Sequence, residues 1–330
     1  GGAVAIGCNA ASVTQGLNTV AVGTAAGSNN QGAQAVAIGV YAGSNSQGQN
    51  SIAIGNSAGS SSQGTQAVAI GIQAGATSQT TQAVAIGYQA GYNTQGSSAV
   101  AIGLYAGCNT QGAQGVAIGY YAGQSSQTAD SVAIGNSAGK TSQAGSSVAI
   151  GPSAGASNQA TNSIGIGNQA GYYGQGASNV AIGYQAGQSG QGEQAVAIGY
   201  RAGSNQGTRA IAIGFQSGQT SQTAGAIAIG TNAGQSRVTG GTYAVAIGYQ
   251  AGQTNQRTQS IAIGYQAGTI TQGINAIAIG VGAGLTNQLQ TAIAIGVNAG
   301  AGTQGTNAIA IGAIELIVSA LIPKRLPDST

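Results

Sequence analysis

Residues 135–141 read Gly-Asn-Ser-Ala-Gly-Lys-Thr, with two glycines, a lysine and a hydroxyl in the order of a phosphate-cradling loop. That loop needs four residues between its glycines so that successive N–H groups wrap the phosphates. Gly135 and Gly139 enclose three. Gly165-Ile166-Gly167-Asn168-Gln169-Ala170 similarly begins like a dinucleotide fingerprint, yet no acid follows about twenty residues on to hold a ribose. General acid–base chemistry has little material. Asp130, Glu193, Glu315 and Asp328 are the only side-chain carboxylates, and they are far apart in sequence. The absence of His removes a Ser-His-Asp triad and an ordinary zinc site. The expectation is no catalytic, metal or cofactor-binding residue, no cofactor and no enzyme activity.

Both near-motifs are pieces of one repeating unit, and the unit is what organises the chain. The Gly that ends Ala-Ile-Gly, or a close variant, returns twenty times from Gly7 and Gly23 to Gly296 and Gly312. The interval is 16 residues everywhere except Gly199–Gly214, which is 15, and Gly230–Gly248, which is 18. In Ala-Val-Ala-Ile, large and small apolar side chains alternate, a period of two that suits a strand, and β-branched Val and Ile favour one. Glycine after every fourth residue, and again four residues later, would break any helix. Those glycines, in steps such as Ala42-Gly43, also supply the positive φ of tight corners.

An all-β, parallel β-solenoid (β-roll) follows, with about twenty 16-residue coils and two short strands per coil. At about 4.8 Å per coil the array would be on the order of 95 Å long. Residues 1–312 are the array, and 313–330 form a separate apolar tail. Composition agrees: 3% charged residues, no Met or Trp and a single Phe leave no means of building a thick jigsaw core.

Stacked coils turn sequence positions into columns. Eight residues after most key glycines stands Gln, as in Gln47, Gln63, Gln79, Gln95 and Gln111. Their strict phase points to a structural ladder of amides bonded coil to coil, against the simpler reading of a polar turn residue. Gln206 keeps this place in the 15-residue unit, and the extra residues of the 18-residue unit fall around 235–243. Directly after the key glycine runs a partly aromatic column that includes Tyr184, Tyr200, Phe215, Tyr249 and Tyr265. It could serve as an interaction stripe for glycans or a host surface, or simply pack rung on rung or against another protomer. A third column, three residues after the key glycine, holds only Ala or Ser and must be sterically closed. Alternation alone leaves open whether Val and Ile or Ala face the interior. Either way an uncharged stripe runs along the array and calls for burial by another chain.

Units such as Ser51-Ile52-Ala53-Ile54-Gly55 and Ser131-Val132-Ala133-Ile134-Gly135 resemble the head repeat of trimeric autotransporter adhesins. The resemblance implies a left-handed parallel β-roll, with three chains packed by the strand that carries this motif. It spans almost the whole chain but rests on one short pattern. The family typically uses 14-residue units where this chain uses 16, and no neck, stalk or anchor matches here. Similar Gly- and Gln-rich units occur in predicted viral and phage fibre proteins.

The expected function is a structural rod or self-assembling filament on a cell or virion surface, with an adhesin for a host receptor, glycan or matrix protein as the alternative. The partner is the chain itself, as a homotrimer or a head-to-tail filament. Leu316, Ile317, Val318, Leu321 and Ile322 in the tail are the candidate subunit-docking residues, capping the array or meeting the next subunit. Nucleic acid is not expected, because the net charge of +3 is scattered and no run of basic residues exceeds two. No apolar stretch is long enough to span a membrane as a helix. Cys8 and Cys108 lie about six coils, or about 29 Å, apart and cannot bridge within one chain.

Overall fold

The computed structural model describes residues 2–236 and 241–312, and the chain divides into two compact units between Gln194 and Ala195. The tail residues Leu316, Ile317, Val318, Leu321 and Ile322 lie outside the described residues. Each apolar segment forms a three-residue strand. Twelve of them, Val4–Ile6 through Val180–Ile182, belong to the first unit, and eight, Val196–Ile198 through Ile309–Ile311, to the second. Within each unit successive strands pair in parallel and in register. Val84 faces Val100, Ala85 faces Ala101 and Ile86 faces Ile102, so one repeat lays each residue on its counterpart. No helix occurs among the described residues, and the fold is a parallel β-solenoid.

The second wall of each coil is narrower than the first. From Ser78–Gln79 to Ser189–Gln191 it forms two- or three-residue strands in an eight-stranded parallel sheet. In the earliest coils it shrinks to single bridges such as Gln15 with Gln31 and Gln31 with Gln47. The sharp corners on either side leave little extended chain. Gln89 and Ser98 sit in the left-handed region at φ 51° and 57°, and the same two positions recur in most coils. Glycine therefore supplies only some of the corners. Mostly polar side chains, with Ala at positions such as Ala25, supply the rest at a modest steric cost.

The key glycines have a different duty. A Cβ on Gly119 would lie 2.7 Å from the carbonyl oxygen of Gly135 in the next coil, at φ 127°. The glycine of each Ala-Gly step lies against the glutamine column: a Cβ on Gly91 would meet Gln95 Oε1 at 2.7 Å. The interior is correspondingly thin. It holds the central Ala of each strand, the closed Ala column and the Gln side chains, for example Ala85, Ala90 and Gln95, all fully buried. Val84 and Ile86 on either side are only half-buried and point out. Volume thus decides what alternation left open: Ala goes in, and Val and Ile go out.

The 15-residue unit absorbs its change in the second wall. In the 15-residue unit the missing residue falls between Gly203 and Gln206, and Gln206 Nε2 still reaches Val196 O at 3.1 Å and Gln222 Oε1 at 2.8 Å. In the 18-residue unit Ser236 bridges Thr254 and Ala244 N donates to Gly241 O, and residues 237–240, within the stretch where the extra residues were expected, lie outside the described residues.

Candidate interaction surfaces

Because Ala fills the inside of each apolar strand, its two neighbours form parallel columns of Val and Ile on the outside. Period-two alternation continues past the key glycine, so the next residue also points outward. This third column holds the aromatic positions, and Tyr184, Tyr200, Phe215, Tyr249 and Tyr265 are each 39–51% exposed. In the second unit Tyr200 stacks on Phe215 with centroids 5.1 Å apart and planes within 7°. Tyr249 stacks on Tyr265 at 5.1 Å and 11°. Tyr184 holds the equivalent place in the first unit. Val40, Ile72 and Leu104 fill the same column elsewhere, so the exterior of the apolar wall is three columns wide and almost free of charge.

The glutamine column lies on the other side of the thin interior. Gln95 Nε2 lies 2.7 Å from Val84 O and 3.2 Å from Ala99 O of its own coil, and 3.2 Å from Gln111 Oε1 in the next. Gln63 donates to Gln79, and Gln79 to Gln95, at 3.2 and 3.1 Å. Gln47 accepts from Gln31 at 3.2 Å and donates to Val36 O at 2.7 Å. The run is interrupted where Gln31, Gln63, Gln127 and Gln175 leave Oε1 without a partner. Most of these amides, Gln95 among them, therefore tie the two walls of their own coil together in addition to any bond along the column. These side chains are internal struts and are closed to any ligand.

A further aromatic group lies one position beyond the expected stripe. Tyr105 and Tyr121 stack at 5.2 Å, Tyr88 meets Tyr105 edge-on at 5.3 Å, and Tyr120 meets Tyr121 at 4.1 Å. Lys140 Nζ stands 5.0 Å from the centre of the Tyr121 ring, in cation–π range. Partial burial, then the Tyr88 hydrogen bond and neighbouring phenols, raise the Tyr105 phenol above its ordinary range. A hydrogen bond with Tyr121, then burial, does the same for Tyr120. Sequence reading passed over Tyr105 and Tyr121 because Gln and Ser fill most of their column. The signal was there in their 16-residue spacing.

Cys8 is exposed and Cys108 buried, both as free thiols, and burial raises the Cys108 thiol. Among the described residues no group of His, Cys, Asp or Glu is arranged to hold a metal. No described helix is long and apolar enough to cross a membrane.

Residues 31–58, 46–74, 62–90 and 191–217 match the YadA head domain repeat. These matched stretches are similar to the YadA head repeat and cover about a quarter of the chain. No curated protein and no solved structure matches the chain. The stretch 31–90 lies wholly in the first unit and includes both the outward Val and Ile columns and the inward glutamines from Gln31 to Gln79.

Proposed function

We propose that this chain is a non-enzymatic structural protein of a cell or virion surface, whose YadA-type head associates as a homotrimer through the Val and Ile face. The observation that carries the reading is the inversion of the apolar strand. Its largest side chains, such as Val116 and Ile118, stay half-exposed in a single chain while Ala117 between them is fully buried. Repeated over twelve strands in one unit and eight in the other, that face is a continuous apolar band within each unit. Bands of this size mark surfaces that another chain covers. The likeness to trimeric autotransporter adhesin heads gives the number three, and it supports a surface location of adhesin type. Catalysis has no support in the arrangement, since the described carboxylates Asp130 and Glu193 sit in different coils.

Light scattering on the size-exclusion peak tests the assembly. The expected mass is three times the 31.4 kDa of one chain. A soluble, folded species of 31.4 kDa at micromolar concentration would overturn the trimer.

A further inference from the structure

Nine residues after the key glycine in a regular coil, one column of the second wall is almost uniformly small. It holds Gly, Thr or Ala at Gly48, Gly64, Thr80, Gly96, Thr128 and Ala144, and in every other described coil but two. The exceptions are Arg257 and Leu289, two coils apart, with Gly273 between them. A large–small–large order in one column makes a hollow about 9.6 Å long, twice the coil spacing. The second unit indeed carries a cleft of about 290 Å³ at this place, with Arg257 and Leu289 as its ends, Gly273 between them, and Ile274, Thr271, Asn287 and Thr306 around it. A Cβ on Gly273 would run into the Leu289 backbone at 2.5 Å, so the glycine keeps the hollow open and the coils close.

The lining is chemically mixed. Ile274 and Leu289 stand 36% and 39% exposed in a wall otherwise dominated by hydroxyl and amide side chains. The side chains of Thr271, Asn287 and Thr306 make no hydrogen bond to any described residue, although each can donate and accept. Among the described residues of its unit Arg257 has no acid to pair with, because residues 195–312 contain neither Asp nor Glu. A planar guanidinium is the side chain best matched to a carboxylate, which it binds through two parallel hydrogen bonds.

We propose that this cleft binds one pyranose ring bearing a carboxylate, the terminal or exposed acid sugar of a glycan. The carboxylate meets Arg257, the ring C–H face lies on Ile274 and Leu289, and ring hydroxyls pair with Thr271, Asn287 and Thr306. An aliphatic or aromatic carboxylate would satisfy the arginine and the apolar side chains but leave those polar groups desolvated and unpaired. An uncharged sugar would leave the guanidinium without its partner. A cleft near the small end of the ligand-pocket range suits one ring rather than a chain. The proposal rests on the surface-protein reading for the source of its ligand; the chemistry of the cleft does not require the trimer.

Titration calorimetry on the full chain, with its mass measured by light scattering in the same buffer, tests the site. The probes are glucuronate, N-acetylneuraminate, glucose and benzoate. At least one sugar acid is expected to bind saturably with Kd on the order of millimolar, and glucose and benzoate at least about ten-fold more weakly. The better of the two acids tells whether the source is a uronate-bearing or a sialylated glycan. Arg257→Gln should cost about ten-fold or more in acid-sugar affinity. Leu289→Gly, which restores the common residue of its column, should cost several-fold while the circular dichroism stays unchanged. Wild-type affinity in both variants, no saturable binding of either acid, or benzoate binding as tightly as the sugar acids would each overturn the proposal. A trimeric chain that fails to bind loses only this site, and a monomeric chain that binds keeps it while the trimer falls.

Discussion

The two walls of each coil treat their largest side chains in opposite ways. On the apolar wall Val84 and Ile86 point out and Ala85 points in; on the other wall Gln95 points in. A hydrophobic residue outside and an amide inside reverse the usual sorting, and geometry explains both choices. Between walls this close there is room for a methyl group but not for a sec-butyl group. Glutamine fits because it is long and thin, and because Val84 O, Ala99 O and Gln111 Oε1 take up its amide hydrogens. A buried amide left unbonded would be destabilising; a bonded one joins the walls. The single coil is therefore held by hydrogen bonds and close-packed alanine, and its main hydrophobic surface stays available for another chain.

If that contrast is right, the coil itself should be most sensitive on its glutamine wall. Gln95→Leu removes a partner from Val84 O, Ala99 O, Gln79 Nε2 and Gln111 Oε1 at once. Buried groups left unpaired cost about 1–3 kcal/mol each, so a loss of at least about 3 kcal/mol in urea-unfolding stability is expected. The same change at the exposed Gln66 should stay within about 0.5 kcal/mol. Equal effects at the two sites would show that the internal amides are not struts. The closed alanine column ranks next. Ala122 is fully buried, and Ala122→Leu should destabilise by about 1–3 kcal/mol through overpacking. Val116→Leu, on the outer face, should be tolerated in the single chain; a larger loss there than at Ala122 would reverse the assignment of inside and outside.

Much of this is legible in the sequence, and the reason is the repeat. A strict interval of 16 lays Val on Val and Gln on Gln, so strands, parallel register and columns follow from counting. What counting could not give was direction. Val-Ala-Ile alternates with period two whichever side faces in, and only the volume of the packed coil separates the two choices. Left-handed corners at Gln89 and Ser98 were hidden for a related reason: glutamine carries no strong turn preference, and serine, a turn former, also fills many columns that are not corners. The cleft needed stacking as well as spacing. Arg257, Gly273 and Leu289 are ordinary residues in their own coils and become a hollow only when three coils lie on one another.

The outer face should answer in assembly rather than in folding. Replacing Val116, Ile118, Val132 and Ile134 together by Thr keeps β-branched side chains in two adjacent strands but removes apolar surface from the exterior. Cross-strand pairs of this kind contribute about 0.2–1 kcal/mol each, so the single chain should keep its strand signal in circular dichroism. Light scattering should move from three chains toward one. Unchanged assembly would mean that the trimer packs by another face.

The smallest expected effect is electrostatic and concerns the tyrosines that border this outer face. Tyr105 and Tyr120 both have phenols raised above the ordinary 10.0, the first chiefly by burial and the second chiefly by its hydrogen bond with Tyr121. A raised value means that the folded chain holds the phenolic proton more tightly than the unfolded chain does. The resulting stabilisation is fully present below the unfolded value of 10.0 and is lost as pH rises through the folded values. Alkali should therefore lower the melting temperature, beginning near pH 10. Exchanging both residues for Phe keeps the ring contacts with Tyr88 and Tyr121 and removes the two protons at issue. The double variant should lose less of its melting temperature between about pH 9 and about pH 11 than the wild type does. If the two curves fall in parallel, the aromatic group adds nothing to alkaline sensitivity. The loss would then lie with tyrosines elsewhere, such as Tyr172, whose phenol is raised by its hydrogen bond with Tyr173 on the other wall.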